Sequence, residues 1–326
     1  MIQNSRPVRA LTVVTNPQSG VGRGHELAAA ALARFAAQGV EVTEVRAPSA
    51  AESVRQVRDS ITGSTKPDAV VCIGGDGLMN IVLEAIAQTG VPLGLIPAGT
   101  GNDLAREIGV PTDDPVAAAD LILDGRTRAI DLGRIESPSP GFTPKWFATV
   151  TGTGFDARVT LRANDMRWPK GPLRYTFAAL TEISGRFTVP YRIELSGIVP
   201  GALDNPDADT VIETDAVMVA VGNTRTYGGG MRVCPDAVMD DGLLDLTVVG
   251  AVSRLDMLRL LPALSAGRRI DHPKSKQYRV AQVTLTAPGA PATADGEPAG
   301  TLPVSLRAVP GALTVLVPSS RETDPA

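Results

Sequence analysis

Residues 68–80 read DAVVCIGGDGLMN. The candidate strand 68–73, an unbroken apolar run from Ala69, enters the glycine loop Gly74-Gly75-Asp76-Gly77. A helical pattern follows from Leu78 to about residue 88 and stops near Gly90. A strand apolar throughout is one buried on both faces. A strand that empties through a glycine loop into a helix is half of a parallel βαβ unit. The same grammar recurs on either side. ALTVVTN (10–16) is a strand, then TNPQSGVGRG leads into a helix over 23–38 closed by Gly39. VEVTEV (40–45) leads to a helix over 49–62 closed by Gly63. PLGLIP (92–97) passes through a third glycine loop, PAGTGNDLAR (97–106), to a short helix starting near Asn102. A helix over 114–124 ends at Gly125. Residues 1–130 are therefore expected to form an α/β domain with a parallel sheet covered on both faces.

After Asp131 the pattern changes. Candidate strands at 145–151, 189–197, 211–221, 243–249, 277–286, 301–308 and 312–317 are separated by Gly, Pro and Asp turns. Helical stretches interrupt them at about 172–184 and 253–262, and the tail after Pro318 is expected to fray. Residues 131–309 are thus expected to be a β-rich, mostly antiparallel second domain. Segment 310–326 is a candidate to return to the first.

Composition narrows the function. The 326 residues are 43% hydrophobic and 20% charged, which is globular, and the net charge of -4 argues against a nucleic-acid binder. Two cysteines and two histidines exclude a disulfide scaffold, a multi-Cys zinc site and a His-rich metal site. No apolar run approaches the roughly 18 residues a membrane span needs, and MIQNSRPVRA has no signal core. A cytoplasmic protein able to rest on a membrane surface is the expectation.

Glycine loops at strand ends are where ligands bind in an open parallel sheet, because backbone N–H groups there face a phosphate. Neither familiar phosphate pattern fits: no GxxxxGK[ST] is present, and Gly20, Gly22 and Gly24 are spaced GxGxG. Asp76 and Asp103 have the charge to hold Mg²⁺ beside a triphosphate, yet Asp is equally a good helix N-cap, and spacing leaves both open. The stretch around Asp295-Gly296-Glu297 is turn-like by composition.

GGDGLMN followed by GTGNDLAR (99–106) resembles the diacylglycerol kinase catalytic domain shared with sphingosine and ceramide kinases, and is closest to the bacterial soluble lipid kinases. NPQSG (16–20), GTGFDARV (152–159), GNTRTYGGGMRVCPDAVMDDGLLDL (222–246) and DGE (295–297) extend the resemblance over most of the chain. It implies a fold of the NAD kinase and diacylglycerol kinase type, with a nucleotide-binding α/β domain, a β-rich lipid-side domain and a cleft between them. It implies ATP held by Asn16, Pro17, Gln18, Ser19, Gly20, Gly74, Gly75, Asp76, Gly77, Leu78, Met79, Asn80, Thr100, Gly101 and Asn102. Asp76, Asp103, Asp131 and Asp295 resemble the acids around a catalytic Mg²⁺, and Glu297 the general base, with Asp295 the competing choice. A structural Mg²⁺ is implied at the Asp241 side chain and the carbonyls of Val238 and Leu243. Two departures stand out. Leu78 replaces the usual Thr, and Asn223-Thr224-Arg225-Thr226 lacks the usual aromatic.

The expected activity is ATP-dependent phosphorylation of a lipid alcohol, diacylglycerol first. The alternatives are another lipid alcohol or a non-catalytic nucleotide or lipid sensor. Segments 158–192 and 254–279 each hold seven Lys/Arg against two Asp/Glu in an otherwise acidic chain. With Trp168, Tyr175 and Phe177 they suit an anionic membrane surface. A homodimer is a family-level expectation only.

Overall fold

The computed structural model describes residues 2–3, 7–15, 23–166, 168, 173–185, 187–265, 267–269 and 272–319. The chain divides into two compact units, Met1–Ile130 with Gly311–Ala326, and Asp131–Pro310.

In the first unit the strands Glu41–Val45, Ala10–Thr15, Ala69–Gly74 and Leu93–Pro97 lie side by side in that order. All are parallel, with Val14 opposite Cys72 and Ile73 opposite Ile96. The returning chain adds Val315 parallel to Leu93. The three central strands are buried along most of their length, as their unbroken apolar runs require. The helices Arg23–Ala37, Ala50–Thr62, Asp76–Ile86 and Pro115–Asp124 cover the sheet. Their ends follow local chemistry. The Ser49 hydroxyl accepts the Glu52 N–H at 3.3 Å, and Asp114 accepts from Val116 and Ala117 at 2.9 Å each ahead of Pro115. Gly125 closes its helix in the left-handed region. The third helix begins at Asp76, two residues before the expected Leu78, so the GGDG acid lies inside the first helical turn.

The second unit is antiparallel. Its strands run Glu297–Thr301, Pro291–Ala294, Val150–Gly154, Thr210–Gly222, Leu244–Gly250, Ser275–Thr286 and Val304–Leu316 in pairing order. The strand Val189–Ile198 pairs with both Thr210–Ala216 and Val280–Thr286. One apolar cluster contains Phe147, Ile193, Val219, Leu246, Val283 and Leu306. A second lies under the helices Phe155–Asp165 and Leu173–Ser184 and includes Phe155, Ala179, Ile183 and Val217.

Several elements differ from the sequence pattern. The strand expected at 145–151 is two, Lys145–Phe147 and Val150–Gly154. The strands expected at 301–308 and 312–317 are one, Val304–Leu316, because its two ends have different partners to pair with, Gln282–Leu285 and Leu93. The helix Phe155–Asp165 and the two strands of the hairpin 291–301 were not among the expected elements, although the turn at its tip follows the turn-like composition around Asp295. Residues 320–326, the end of the expected frayed tail, lie outside the described residues.

Candidate active site

The first group of candidate residues belongs to the first unit. The loops after strands Ala69–Gly74 and Leu93–Pro97 touch backbone to backbone. A Cβ on Gly75 would stand 3.0 Å from the Gly99 Cα, and one on Gly99 only 2.6 Å from the Gly75 Cα. Glycine is required at both positions by close approach. Asn102 locks the second loop, with Oδ1 accepting the Gly99 N–H at 3.1 Å and Nδ2 donating to the Gly99 carbonyl at 2.9 Å. Its backbone is left-handed, a conformation that Asn tolerates better than most residues. Asp76 then reaches across. Its two carboxylate oxygens accept the N–H groups of Asn102 at 2.8 Å and Asp103 at 3.0 Å.

Asp76 thus caps a helix other than its own, Asp103–Glu107. Each of its oxygens has lone-pair capacity left after one such bond. Burial raises the Asp76 carboxyl above the usual range, and the negative charge of Asp103 adds to that against the two N–H bonds and Arg106. Asp103 is itself buried and paired with Arg106 at 3.0 Å. A carboxylate whose proton affinity is raised beside a second acid is an electrostatic setting a divalent cation relieves, and oxygen donors are what Mg²⁺ takes. Gly75 has no side chain with which to cap the helix Asp76–Ile86, so that helix opens without a side-chain cap and with its N–H dipoles directed at the loop. Gly77, Leu78 and Asn80 lie partly exposed along this first stretch, with Met79 buried. The Leu78 side chain covers Gly74, whose added Cβ would meet Leu78 Cδ2 at 2.8 Å. Thr100 is exposed and Gly101 partly exposed in the second loop. Asn16, Pro17, Gln18, Ser19 and Gly20 lie outside the described residues.

The second group belongs to the second unit. Asp131 is buried, and its Oδ2 accepts the Gly242 N–H at 2.7 Å. Asp241 sits in the adjoining turn, with Oδ1 accepting the Leu243 N–H at 3.0 Å. Burial raises the Asp241 carboxyl, and Asp131 and Asp240 push the same way against the Leu243 N–H and Arg279. Among the described residues no three acidic, His or Cys side chains converge as a metal cluster. A cation here would need backbone carbonyls such as those of Val238 and Leu243, or water, to complete its oxygen shell. The carboxylate-and-carbonyl chemistry of the turn fits Mg²⁺ on those terms.

The DGE segment is the tip of the hairpin 291–301. Asp295 and Gly296 both have positive φ, 48° and 82°, as a two-residue hairpin turn requires. This conformation separates the two acids. The Asp295 carboxylate turns inward and accepts the N–H groups of Ala148 and Thr149 at 2.8 Å each and the Thr149 hydroxyl at 2.5 Å. Glu297 is exposed. Asn164 steadies the tip from the helix Phe155–Asp165, donating to the Gly296 carbonyl at 3.0 Å. Asn164 and Thr149 carry no sequence signal beyond their neighbourhood in known motifs.

Beneath this hairpin GTGFDARV holds a buried acid. Burial lifts Asp156 to about 6, opposed by the hydrogen bond from the Tyr227 hydroxyl. A Cβ on Gly152 would collide with Asp156 Oδ2, which explains the glycine. A carboxyl with a folded pKa above its unfolded value binds more protons when folded. Its contribution to stability is full below about pH 4 and is lost as pH rises through about 6, roughly 3 kcal/mol in all. Asp156→Asn is expected to flatten the fall of the thermal midpoint between pH 4 and 7. Asp245, also raised to about 6 by burial despite Arg279, leaves a residual slope of the same sign. A variant with the wild-type slope would show that Asp156 titrates elsewhere.

The two units match two family models, the diacylglycerol kinase catalytic domain over residues 10–135 and the YegS C-terminal NAD kinase beta sandwich-like domain over residues 149–317. A protein of Mycobacterium tuberculosis described as "Diacylglycerol kinase" is 42% identical over 308 residues, 94% of this chain and 95% of the other. A "Probable lipid kinase YegS-like" of Pseudomonas savastanoi is 34% identical over 255 residues, 77% of this chain and 76% of the other. Among solved structures, a diacylglycerol kinase from Bacillus anthracis superposes with a TM-score of 0.69 at 19% identity, covering 97% of this chain and 99% of the other, a likeness of fold. With adjoining models on both units and 42% identity held along nearly the whole of two chains, this chain belongs to the diacylglycerol kinase family of lipid kinases.

Proposed function

We propose that the protein transfers the γ-phosphate of ATP, with Mg²⁺, to the hydroxyl of diacylglycerol, giving phosphatidic acid. The observation that carries the reading is the Asp76–Asp103 acid pair held across two interlocked glycine loops at the strand ends. The uncapped start of the helix Asp76–Ile86 and the loop Gly74–Gly77 bind phosphate oxygens. Asn16–Gly20, Thr100, Gly101 and Asn102 belong to the same nucleotide-holding set. Mg²⁺ would be held in the first unit by Asp76 and Asp103 and would supply charge neutralisation of the phosphate oxygens. The Asp241 turn would hold a second, structural ion through the Asp241 carboxylate and the carbonyls of Val238 and Leu243. Glu297 takes the proton from the acceptor hydroxyl as its oxygen bonds to the γ-phosphorus and the bond to the β–γ bridging oxygen breaks, releasing ADP. Asp295, already bonded to three donors, shapes the turn that presents Glu297.

The acceptor arrives in a bilayer, and an exposed face suits one. Trp168 is 77% exposed and packs against Phe177, with Leu173 and Leu180 exposed on the same helix. Arg174 stacks on Tyr175. Arg167, Lys170 and Arg186 of the basic stretch lie outside the described residues. No described helix is long and apolar enough to cross a membrane, so contact by this face is peripheral.

The test is incorporation of γ-phosphate from ATP, with and without Mg²⁺, on vesicles containing diacylglycerol, a sphingoid base, another glycerolipid or a polyprenol. Phosphatidic acid formed only with Mg²⁺ is the expected result. Labelling of another lipid would reassign the acceptor. Nucleotide binding with no labelled product would overturn catalysis in favour of a sensor.

A further inference from the structure

Asn223 lies in the stretch Asn223-Thr224-Arg225-Thr226, to which the kinase reading gives no task. Its side chain is 1% exposed. Nδ2 donates to the carbonyls of Asp131 at 2.8 Å and Ala148 at 3.0 Å, and the backbone N–H donates to the Thr149 carbonyl at 2.8 Å. Both amide hydrogens are used. A flipped amide would set oxygen against two carbonyls, so the bonding pattern fixes its orientation. Oδ1 is then buried with no hydrogen-bond partner among the described residues. A buried amide with an orphaned acceptor is a poor choice for packing alone.

What Asn223 joins gives it a purpose. On one side is the Asp131 peptide, whose carboxylate takes the Gly242 N–H in the acidic turn. On the other is the Ala148–Thr149 segment, whose two N–H groups and one hydroxyl grip Asp295 at the hairpin tip. One side chain therefore links the acidic turn to the turn that carries Glu297. We propose that Asn223, acting through the Ala148–Thr149 segment that its side chain holds at the Ala148 carbonyl, is a positioning residue that fixes the Asp295–Glu297 tip relative to Asp131. This rests on the kinase reading above.

The test compares Asn223→Ala, Thr149→Val and Thr149→Ser in kcat, KM for ATP and thermal midpoint. Misplacement by about 1 Å can lower turnover by up to about 10²-fold. Asn223→Ala is therefore expected to lose about 10–100-fold in kcat, with KM for ATP within about threefold and a cooperative unfolding transition retained. Thr149→Val, which deletes the hydroxyl to Asp295, should lose kcat in the same direction, and Thr149→Ser, which keeps it, should recover it. Unchanged kcat in Asn223→Ala would overturn the proposal. If that variant does not fold, equal kcat in the two Thr149 variants overturns it instead. If the wild type phosphorylates no lipid, the kinase reading fails separately. Hydrogen exchange at the Ala148 and Thr149 amides then decides, since protection kept in Asn223→Ala would show that the side chain does not hold the segment.

Discussion

Asp76→Ala is expected to abolish phosphoryl transfer in a protein that still folds. The carboxylate is half-buried, caps the helix Asp103–Glu107, and lies beside the negative charge of Asp103. Losing the cap costs about 1–2 kcal/mol, which a domain of this size withstands. Losing a metal-linked contact removes several kcal/mol of transition-state stabilisation, about 10³-fold or more in turnover. Asp76→Asn separates the two effects. It keeps the length of the side chain and one accepting oxygen, but loses the charge. Turnover should stay low in Asp76→Asn while stability recovers partly. Calorimetric titration of Mg²⁺ in the presence of nucleotide should show weaker binding in both variants. Wild-type turnover with unchanged Mg²⁺ dependence would confine Asp76 to its capping role.

Glu297→Gln should remove chemistry and leave binding in place. The amide has the size of the acid and still hydrogen-bonds, yet it accepts no proton at neutral pH. A general base contributes about 10²–10⁴-fold, so kcat should fall by that order while ATP and lipid affinities stay within a few-fold. The structure distinguishes this residue from its neighbour. Asp295 is bonded to Ala148 and Thr149, so Asp295→Asn sets an NH₂ group against one of their donors and deforms the turn. Its activity loss should come with a lower thermal midpoint, whereas Glu297→Gln, at an exposed position, should keep the wild-type midpoint. Full turnover in Glu297→Gln together with loss in Asp295→Asn at unchanged stability would transfer the base to Asp295.

Much of the first unit was legible because its signals are local. Buried parallel strands must be apolar throughout, helices must be capped, and glycine must stand where a backbone turns sharply, so 69–74, 93–97 and 115–124 could be read within a few residues. The second unit was less legible. FDARVTLRAND (155–165) contains β-branched and short polar residues of modest helix preference, and becomes a helix by packing Phe155 and Ala163. The Pro310-Gly311 pair looks like a strand break, yet the strand Val304–Leu316 runs through it, held by partners at both ends.

For the site, the residue types were in the sequence and their roles were not. GGDG, GTGND and DGE name the acids and the loops. Whether Asp76 caps its own helix or another one depends on a hydrogen bond to residues 102 and 103. Whether Asp295 and Glu297 act together depends on two positive φ angles that turn one carboxylate inward and leave the other in solvent. Asn223 acquires a task only when Asp131, Ala148 and Thr149 surround it. Composition and periodicity determine which elements form, since those depend on neighbours along the chain. The direction in which a carboxylate points and the donors it meets are set by segments distant in sequence, and only the tertiary structure decided them.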